Sequence, residues 1–215
     1  ACFDTTDAPG EDPFVVRLNG AVTEESAEYI IKSLHAFAAE DPDRQIDFFI
    51  NSYGGHTLQA FAIYDTMMTI PNEIRTICEG KAMSAGHILL TAGTPGLRDA
   101  YRNCTIMTHQ SSAGSSGTTD ENILSVEQQR IINNRSMHIK ALHSGWDINL
   151  FRDLTSHDLF LTVDQAKDMG FIDNIIEPIK AVPPEGTKDK DDIPSWLCEG
   201  ERGKIIRACY GMEPD

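Results

Sequence analysis

The chain has 215 residues, of which 40% are hydrophobic and 24% are charged, the proportions of a globular domain large enough to bury one core. Its formal charge of −15 argues against nucleic acid or an anionic membrane as the natural partner, because both would repel it. Five cysteines without a C-x-x-C pair indicate neither a disulfide framework nor a structural zinc site. The cysteine usage predicts a reducing cytoplasm. No apolar run approaches the length of a membrane span, and no signal peptide is visible.

Apolar runs and helical spacings alternate along the first half of the chain. Residues 46–50, IDFFI, form a near-continuous apolar run, which is typical of a strand covered on both faces of a parallel sheet. Asn19-Gly20 is predicted as a turn. The predicted strands are 14–18, 46–50, 73–78 and 104–108, and the predicted helices are 23–39, 57–69 and 85–92. This alternation predicts an α/β domain wrapped around one sheet.

The second half contains a long predicted helix over 120–143, with Thr119 or Asp120 as its N-cap. It is longer than the usual 11–12 residues or so. Three of its isoleucines are expected to stay exposed and to mark an interface: Ile131, Ile132 and Ile139. The elements predicted after it are a helix over 146–155, a connection over 156–160, a helix over 163–169 closed by Gly170, and a strand over 171–176.

Composition changes at both ends of the chain. Residues 1–13 are polar and rich in turn formers, which predicts a flexible arm. From about residue 180 the sequence becomes rich in proline, lysine and aspartate, which predicts a linker, and a few apolar residues follow that would suffice to dock a short helix. We therefore expect one domain over 14–179, with a linker and tail over 180–215.

Ser84 stands where a predicted strand meets a predicted helix. A serine at such a junction is either an N-cap, whose hydroxyl accepts a bond from an early helical N–H, or a nucleophile beside the unpaired N–H groups of the helix start. The small neighbours Ala82, Ala85 and Gly86 leave room for a substrate backbone. This segment alone leaves both interpretations open.

A serine nucleophile needs a general base. Among the seven histidines, His109 is favoured because it ends an apolar strand, at the edge of a parallel sheet where ligands gather. A structural role for His109, bonded to a loop, stays open. His56 and His87 are candidates for lining a pocket, but His87 follows Ser84 by one helical turn and is not expected to reach its hydroxyl along the attack axis.

The base in turn needs a group that orients it. Asp158 is favoured for this role because it lies in an irregular segment and precedes the apolar residues Leu-Phe-Leu, which would anchor its backbone. Asp153 and Asp164 are the alternatives, and both fit ordinary positions on helices.

Five segments carry a larger pattern: INSYGG (50–55), AIYDTM (62–67), CEGKAMSAGHILLTAG (78–93), IMTHQ (106–110) and DLFLTVDQAKDMGFID (158–173). In this order, and with preserved spacing from Gly20 to about Glu177, they resemble the Clp protease proteolytic subunit, ClpP. The resemblance implies a ClpP/crotonase-like α/β fold, in which helices wrap a sheet and one helix projects as a handle. It implies a divergent member with a shortened N-terminus and an additional C-terminal tail.

The same resemblance implies a serine endopeptidase that hydrolyses peptides or unfolded protein inside a ring-shaped chamber, ATP-independent in itself. Ser84 would be the nucleophile, His109 the general base and Asp158 the orienting acid. The backbone N–H groups of Gly55 and Ala85 would form the oxyanion hole. Four further residues would contact the substrate: His56, Thr57, Ser112 and Gly114. No cofactor or metal is expected for this chemistry.

Homo-oligomers, in the form of stacked heptameric rings, are also implied, and an AAA+ unfoldase is left open as a partner. The chain departs from the family pattern in several places. Tyr53 stands where proline is usual, Ala85 where methionine is usual, and Ser156-His157 replace an acidic–arginine pair that links ring stacking to the triad.

Two alternatives remain at this stage. One is a catalytically minor or regulatory subunit that joins another ClpP ring. The other is a CoA-binding enzyme of the crotonase group, which shares the fold but has no need of serine and histidine at these spacings.

Overall fold

The structure is a computed structural model that describes residues 14–110 and 116–179. The predicted arm over 1–13 and the predicted linker and tail over 180–215 lie outside the described residues. Two of the predicted substrate contacts, Ser112 and Gly114, also lie outside them. Within the described ranges, no helix combines the length and the apolar character that crossing a bilayer requires.

Seven strands and six helices make up the described part of the chain. The strands are β1 (Val15–Val22), β2 (Ile46–Gly55), β3 (Ile74–Met83), β4 (Arg98–Tyr101), β5 (Thr105–Thr108), β6 (Leu159–Leu161) and β7 (Asn174–Ile176). The helices are α1 (Glu24–Glu40), α2 (Thr57–Thr69), α3 (Ala85–Thr91), α4 (Thr119–Ser144), α5 (Ile148–Leu154) and α6 (Val163–Asp168). The order confirms the predicted α/β class.

The sheet has a parallel path, β1-β2-β3-β4-β7, and it forks at β3. The first half of β3 pairs with β4, and its last residues, Lys81–Met83, pair with β5 instead. The short strand β6 then pairs antiparallel with β5. The fork brings the carboxyl ends of β3 and β5 side by side, and such ends are where α/β proteins build their sites.

The core lies between this sheet and the helices packed on it. The apolar residues of β1 and β2 that face inward are 2% exposed or less, among them Val16, Phe48 and Ile50. Every residue of α3 is buried. Gly86 allows α3 to approach β2 closely, because a Cβ at Gly86 would lie 3.2 Å from the Cβ of Ser52. The helix that follows Ser84 is therefore held tightly against the sheet.

Helix α4 has 26 residues, and its N-cap is Thr118. The prediction of Thr119 or Asp120 was wrong, because Thr118 and Glu121 form a capping box that starts the helix one residue earlier. Ile131 is exposed as predicted, whereas Ile132 and Ile139 are partly buried. The apolar side chains that α4 exposes are Ile123, Leu124, Val126, Ile131 and Leu142.

Several predicted boundaries were wrong where pairing with distant strands extends or adds an element. Asn19-Gly20 is not a turn but part of β1, at a register shift against β2. The predicted connection over 156–160 contains the start of β6. β4 was not predicted; its Arg98 and Asp99 are buried and held by ion pairs to Asp173 and Arg75. Charged residues in a short run conceal such a strand.

Candidate active site

Ser84 connects β3 to α3 in a strained conformation. Its φ of 53° and ψ of −118° make it the one non-glycine residue with positive φ in ranges 14–110 and 116–179. Its backbone N–H donates to the carbonyl of Met107 on β5 at 2.9 Å. Its side chain makes no capping bond, although Ser84 occupies the N-cap position of α3. The N-cap interpretation of the hydroxyl is therefore wrong, and the strain points to a functional role.

Gly54 permits this conformation by lying directly against the junction. A Cβ at Gly54 would lie 2.7 Å from the Cβ of Ser84 and 2.9 Å from the backbone nitrogen of Ala85. Gly54 has a φ of +98°, which side chains rarely adopt, and its N–H donates to Ser52 Oγ at 2.9 Å. Gly55 was predicted as a site residue, whereas Gly54 was not. The two consecutive glycines were the signal in the sequence that could have indicated this close approach.

The structure brings together the three residues that the sequence analysis proposed as a triad. His109 Nε2 lies 2.7 Å from Ser84 Oγ, and His109 Nδ1 lies 3.2 Å from Asp158 Oδ1. His109 follows β5, and Asp158 precedes β6. Because Thr108 pairs with Leu159 in the antiparallel β5–β6 ladder, their neighbours His109 and Asp158 fall next to each other.

Of these residues, His109 is more enclosed than Asp158. The side chain of His109 is 22% exposed, whereas that of Asp158 is 58% exposed. Asp164, one of the alternative acids, instead pairs with Arg102 at 2.6 Å. Asp153, the other, is exposed on α5. The contact to His109 is therefore made by Asp158.

His87 does not line a pocket. It is fully buried, its Nε2 lies 3.3 Å from Thr91 Oγ1, and its ring packs edge-on against Phe171. Burial, with the nearby charge of Lys140, holds the pKa of His87 well below its usual range. A neutral imidazole in the core is a packing element, and the prediction of a pocket residue was wrong.

The remaining predicted residues lie close to the junction. Ala85 is the first residue of α3, directly after Ser84, and its side chain is buried in the core. Gly55 ends β2 with a φ of +152°, and a Cβ there would lie 2.3 Å from the carbonyl oxygen of Val22. His56 is exposed at the N-cap of α2, and Thr57 begins that helix.

This arrangement suits acyl transfer. A hydroxyl on a strained turn, a histidine within hydrogen-bond distance of it, and a carboxylate on the second ring nitrogen are the parts that activate a serine. A model of the family described as Clp protease matches residues 11–179. The chain belongs to the Clp protease family.

Two relatives in this family illustrate the match. The ATP-dependent Clp protease proteolytic subunit 3 of Rhodococcus jostii is 34% identical over 172 residues, which cover 80% of this chain and 85% of the relative. The ATP-dependent Clp protease proteolytic subunit 1 of Frankia casuarinae is 36% identical over 172 residues, which cover 80% of this chain and 81% of the relative. Both matches confirm the resemblance drawn from the five segments, and they favour a peptidase over a CoA-binding enzyme.

Proposed function

We propose that the chain is a serine endopeptidase that hydrolyses peptides or unfolded protein by an acyl-enzyme mechanism. Ser84 is the nucleophile, His109 the general base and Asp158 the group that orients His109. The observation that carries the proposal is the 2.7 Å contact between Ser84 Oγ and His109 Nε2, with Asp158 on the other ring nitrogen. Membership of the Clp protease family supports it.

In the first step, Ser84 Oγ attacks the carbonyl carbon of the peptide bond, and His109 Nε2 takes the hydroxyl proton. Asp158 stabilises the imidazolium that forms, and it holds His109 in the tautomer with the proton on Nδ1. His109 then gives the proton to the leaving amine, and an acyl-enzyme remains on Ser84. Water, activated by His109, releases the acid and restores the serine. No cofactor takes part in these steps.

The negative charge that develops on the carbonyl oxygen needs hydrogen-bond donors aimed at that oxygen. We assign this role to the backbone N–H groups of Gly55 and Ala85, at the ends of two elements that meet at Ser84. His56 and Thr57 would contact the substrate side chain next to them. The peptide would lie as an added strand against the edge that contains Ser112 and Gly114.

The probe experiment for this function is covalent labelling of the native protein. A fluorophosphonate reacts with an activated serine and not with an ordinary hydroxyl. We expect labelling of the wild type at Ser84, located by mass spectrometry of the peptides, and no labelling of Ser84→Ala. Absence of labelling in a well-folded wild type would contradict the peptidase and favour the regulatory-subunit alternative.

We also propose that the protein works as a ring-shaped homo-oligomer whose rings stack through α4. The support is the apolar surface of this helix, where Leu124 is 69% exposed and Val126 and Ile131 are more than half exposed. An AAA+ unfoldase remains a possible partner for such rings, and a cytoplasmic location remains a prediction from the cysteine content.

The stacking is expected to depend on salt. With a formal charge of −15, like subunits repel one another, and this repulsion is screened as ionic strength rises. Sedimentation velocity at low and high salt should show a ring-sized species whose stacked form increases with salt. Leu124→Asp should shift the equilibrium towards smaller species more than Gln128→Asp, which adds the same charge to an exposed polar position of α4. A monomer under every condition would refute the ring.

A further inference from the structure

Lys140 is a charged residue in the interior of the molecule. It lies on α4 and is only 1% exposed, among the largest fully buried side chains. An isolated ammonium is costly to bury, and buried lysines normally pair with a carboxylate. In the part of the chain that the structure describes, no carboxylate forms an ion pair with Lys140, and burial alone lowers its pKa. Because burying Lys140 costs stability, its burial is expected to serve a function.

The contacts of Lys140 lead directly to the base of the triad. Its Nζ donates to Thr108 Oγ1 at 3.0 Å and to the backbone carbonyl oxygen of His109 at 3.4 Å. Thr108 is itself fully buried. Thr108 is the last residue of β5 and His109 follows it directly, so Lys140 Nζ ties this strand end to α4 at the residue that carries the imidazole.

The other restraint on His109 is weaker. The contact between His109 Nδ1 and Asp158 Oδ1 is 3.2 Å long, and Asp158 is mostly exposed, so water competes for it. The bond from Lys140 to Thr108 is buried and shielded from water, which makes it worth more than an exposed contact. The position of the imidazole therefore depends on the interior as well as on the carboxylate.

We propose that Lys140 is a positioning residue which, through Thr108 and the His109 carbonyl, holds the imidazole in line with Ser84 Oγ. The proposal rests on the roles of Ser84 and His109 given under the proposed function. Positioning acts on the chemical step, because small misplacements of a catalytic group are costly in rate. Loss of Lys140 is therefore expected to lower kcat and to leave KM unchanged.

The protonation of Lys140 adds a pH dependence. Burial lowers its pKa from 10.5 to about 7. The titratable groups around Lys140 are His109 after β5, His87 of α3 and His143 of α4 itself. Arg98 of β4 donates to the His143 carbonyl. On α5, Arg152 and Asp153 are exposed. Below pH 7 the ammonium opposes the imidazolium that forms on His109 during attack, and above pH 7 the neutral amine does not.

The test compares kcat and KM of the wild type and Lys140→Met with a fluorogenic peptide between pH 6 and 8.5. Methionine keeps an unbranched side chain that is one atom shorter, and it removes the charge and both bonds. We expect kcat of the variant to be lower than that of the wild type by about tenfold at pH 8.5, with KM unchanged. The ratio of wild-type kcat to variant kcat is expected to approach one at pH 6. Lys32→Met, a change at an exposed lysine of α1, should match the wild type throughout.

The stability of the folded variants is a separate control. The lysine binds fewer protons in the folded chain than in the unfolded one between pH 7 and 10.5, so it destabilises the fold most below pH 7 and not at all above 10.5. Lys140→Met should therefore melt no lower than the wild type at pH 6.5. Thr108→Val, which removes one acceptor and keeps the shape, should lower kcat at pH 8.5 by a smaller factor.

The outcomes separate this proposal from the proposed function. If the fluorophosphonate does not label Ser84 of the wild type, the peptidase itself is refuted. If Ser84 is labelled but kcat of Lys140→Met is unchanged, or is lowered by the same factor at every pH, the positioning role is overturned and Lys140 is only a structural residue.

Discussion

Replacing Ser84 by alanine is expected to abolish peptide hydrolysis and to leave the fold and the assembly intact. Removal of the nucleophile of a serine triad lowers kcat by ~10⁴–10⁶-fold. The hydroxyl that would be lost is the one that His109 Nε2 contacts at 2.7 Å. The variant loses one oxygen atom, which makes no capping bond, so no helix bond is lost with it.

The measurement is steady-state turnover of a fluorogenic peptide, with sedimentation of the same samples to show that assembly is unchanged. Ser33→Ala is the matched control, since it removes a hydroxyl that donates to the backbone carbonyl of Tyr29 on its own helix. It should retain full activity. Turnover by purified Ser84→Ala at more than about one part in a thousand of the wild-type rate would show that another residue is the nucleophile.

The second large effect is expected for Asp158→Asn. The amide of asparagine can hold His109 in the wrong tautomer and cannot stabilise the imidazolium, so that kcat is expected to fall by up to ~10⁴-fold. The fold should be unaffected, because Asp158 is 58% exposed and its described ion pair is the one with His109. A loss of kcat without a matching change in melting temperature is the predicted signature.

Asp153→Asn is the control for this experiment. Asp153 is also an exposed aspartate, and it lies on α5, five residues before Asp158. The substitution removes the same charge from the same region of the chain and should reduce kcat by less than about twofold, as expected for a surface change away from the chemistry. Equal losses in the two variants would mean that the orienting carboxylate has been assigned wrongly.

The sequence by itself predicted the α/β class, the main helices and the residues of the candidate site. Local signals carry this information. The apolar run at 46–50 predicted the first half of β2, and the prediction of α2 over 57–69 agrees with the structure residue for residue. Ser84, His109 and Asp158 came from ordered motifs whose spacing survives even though the three residues lie far apart in the chain.

Other features were decided by contacts between distant parts of the chain. β4 and β6 exist because they pair with β3 and β5, and neither has a local pattern strong enough to predict it. The same pairing places Asp158 beside His109, a matter of register that no local signal contains.

Burial is the other quantity that only the tertiary structure decided. Lysine is usually exposed, and at position 140 it follows the ordinary polar composition of a long helix. The packing of α4 over the end of β5 encloses it and turns its ammonium towards Thr108 and His109. Gly54 shows the same dependence, because its need for glycine arises from the Cβ of Ser84 and from the backbone on either side of it, about thirty residues later in the chain. Propensity is a local property, whereas desolvation and close approach depend on which surfaces meet.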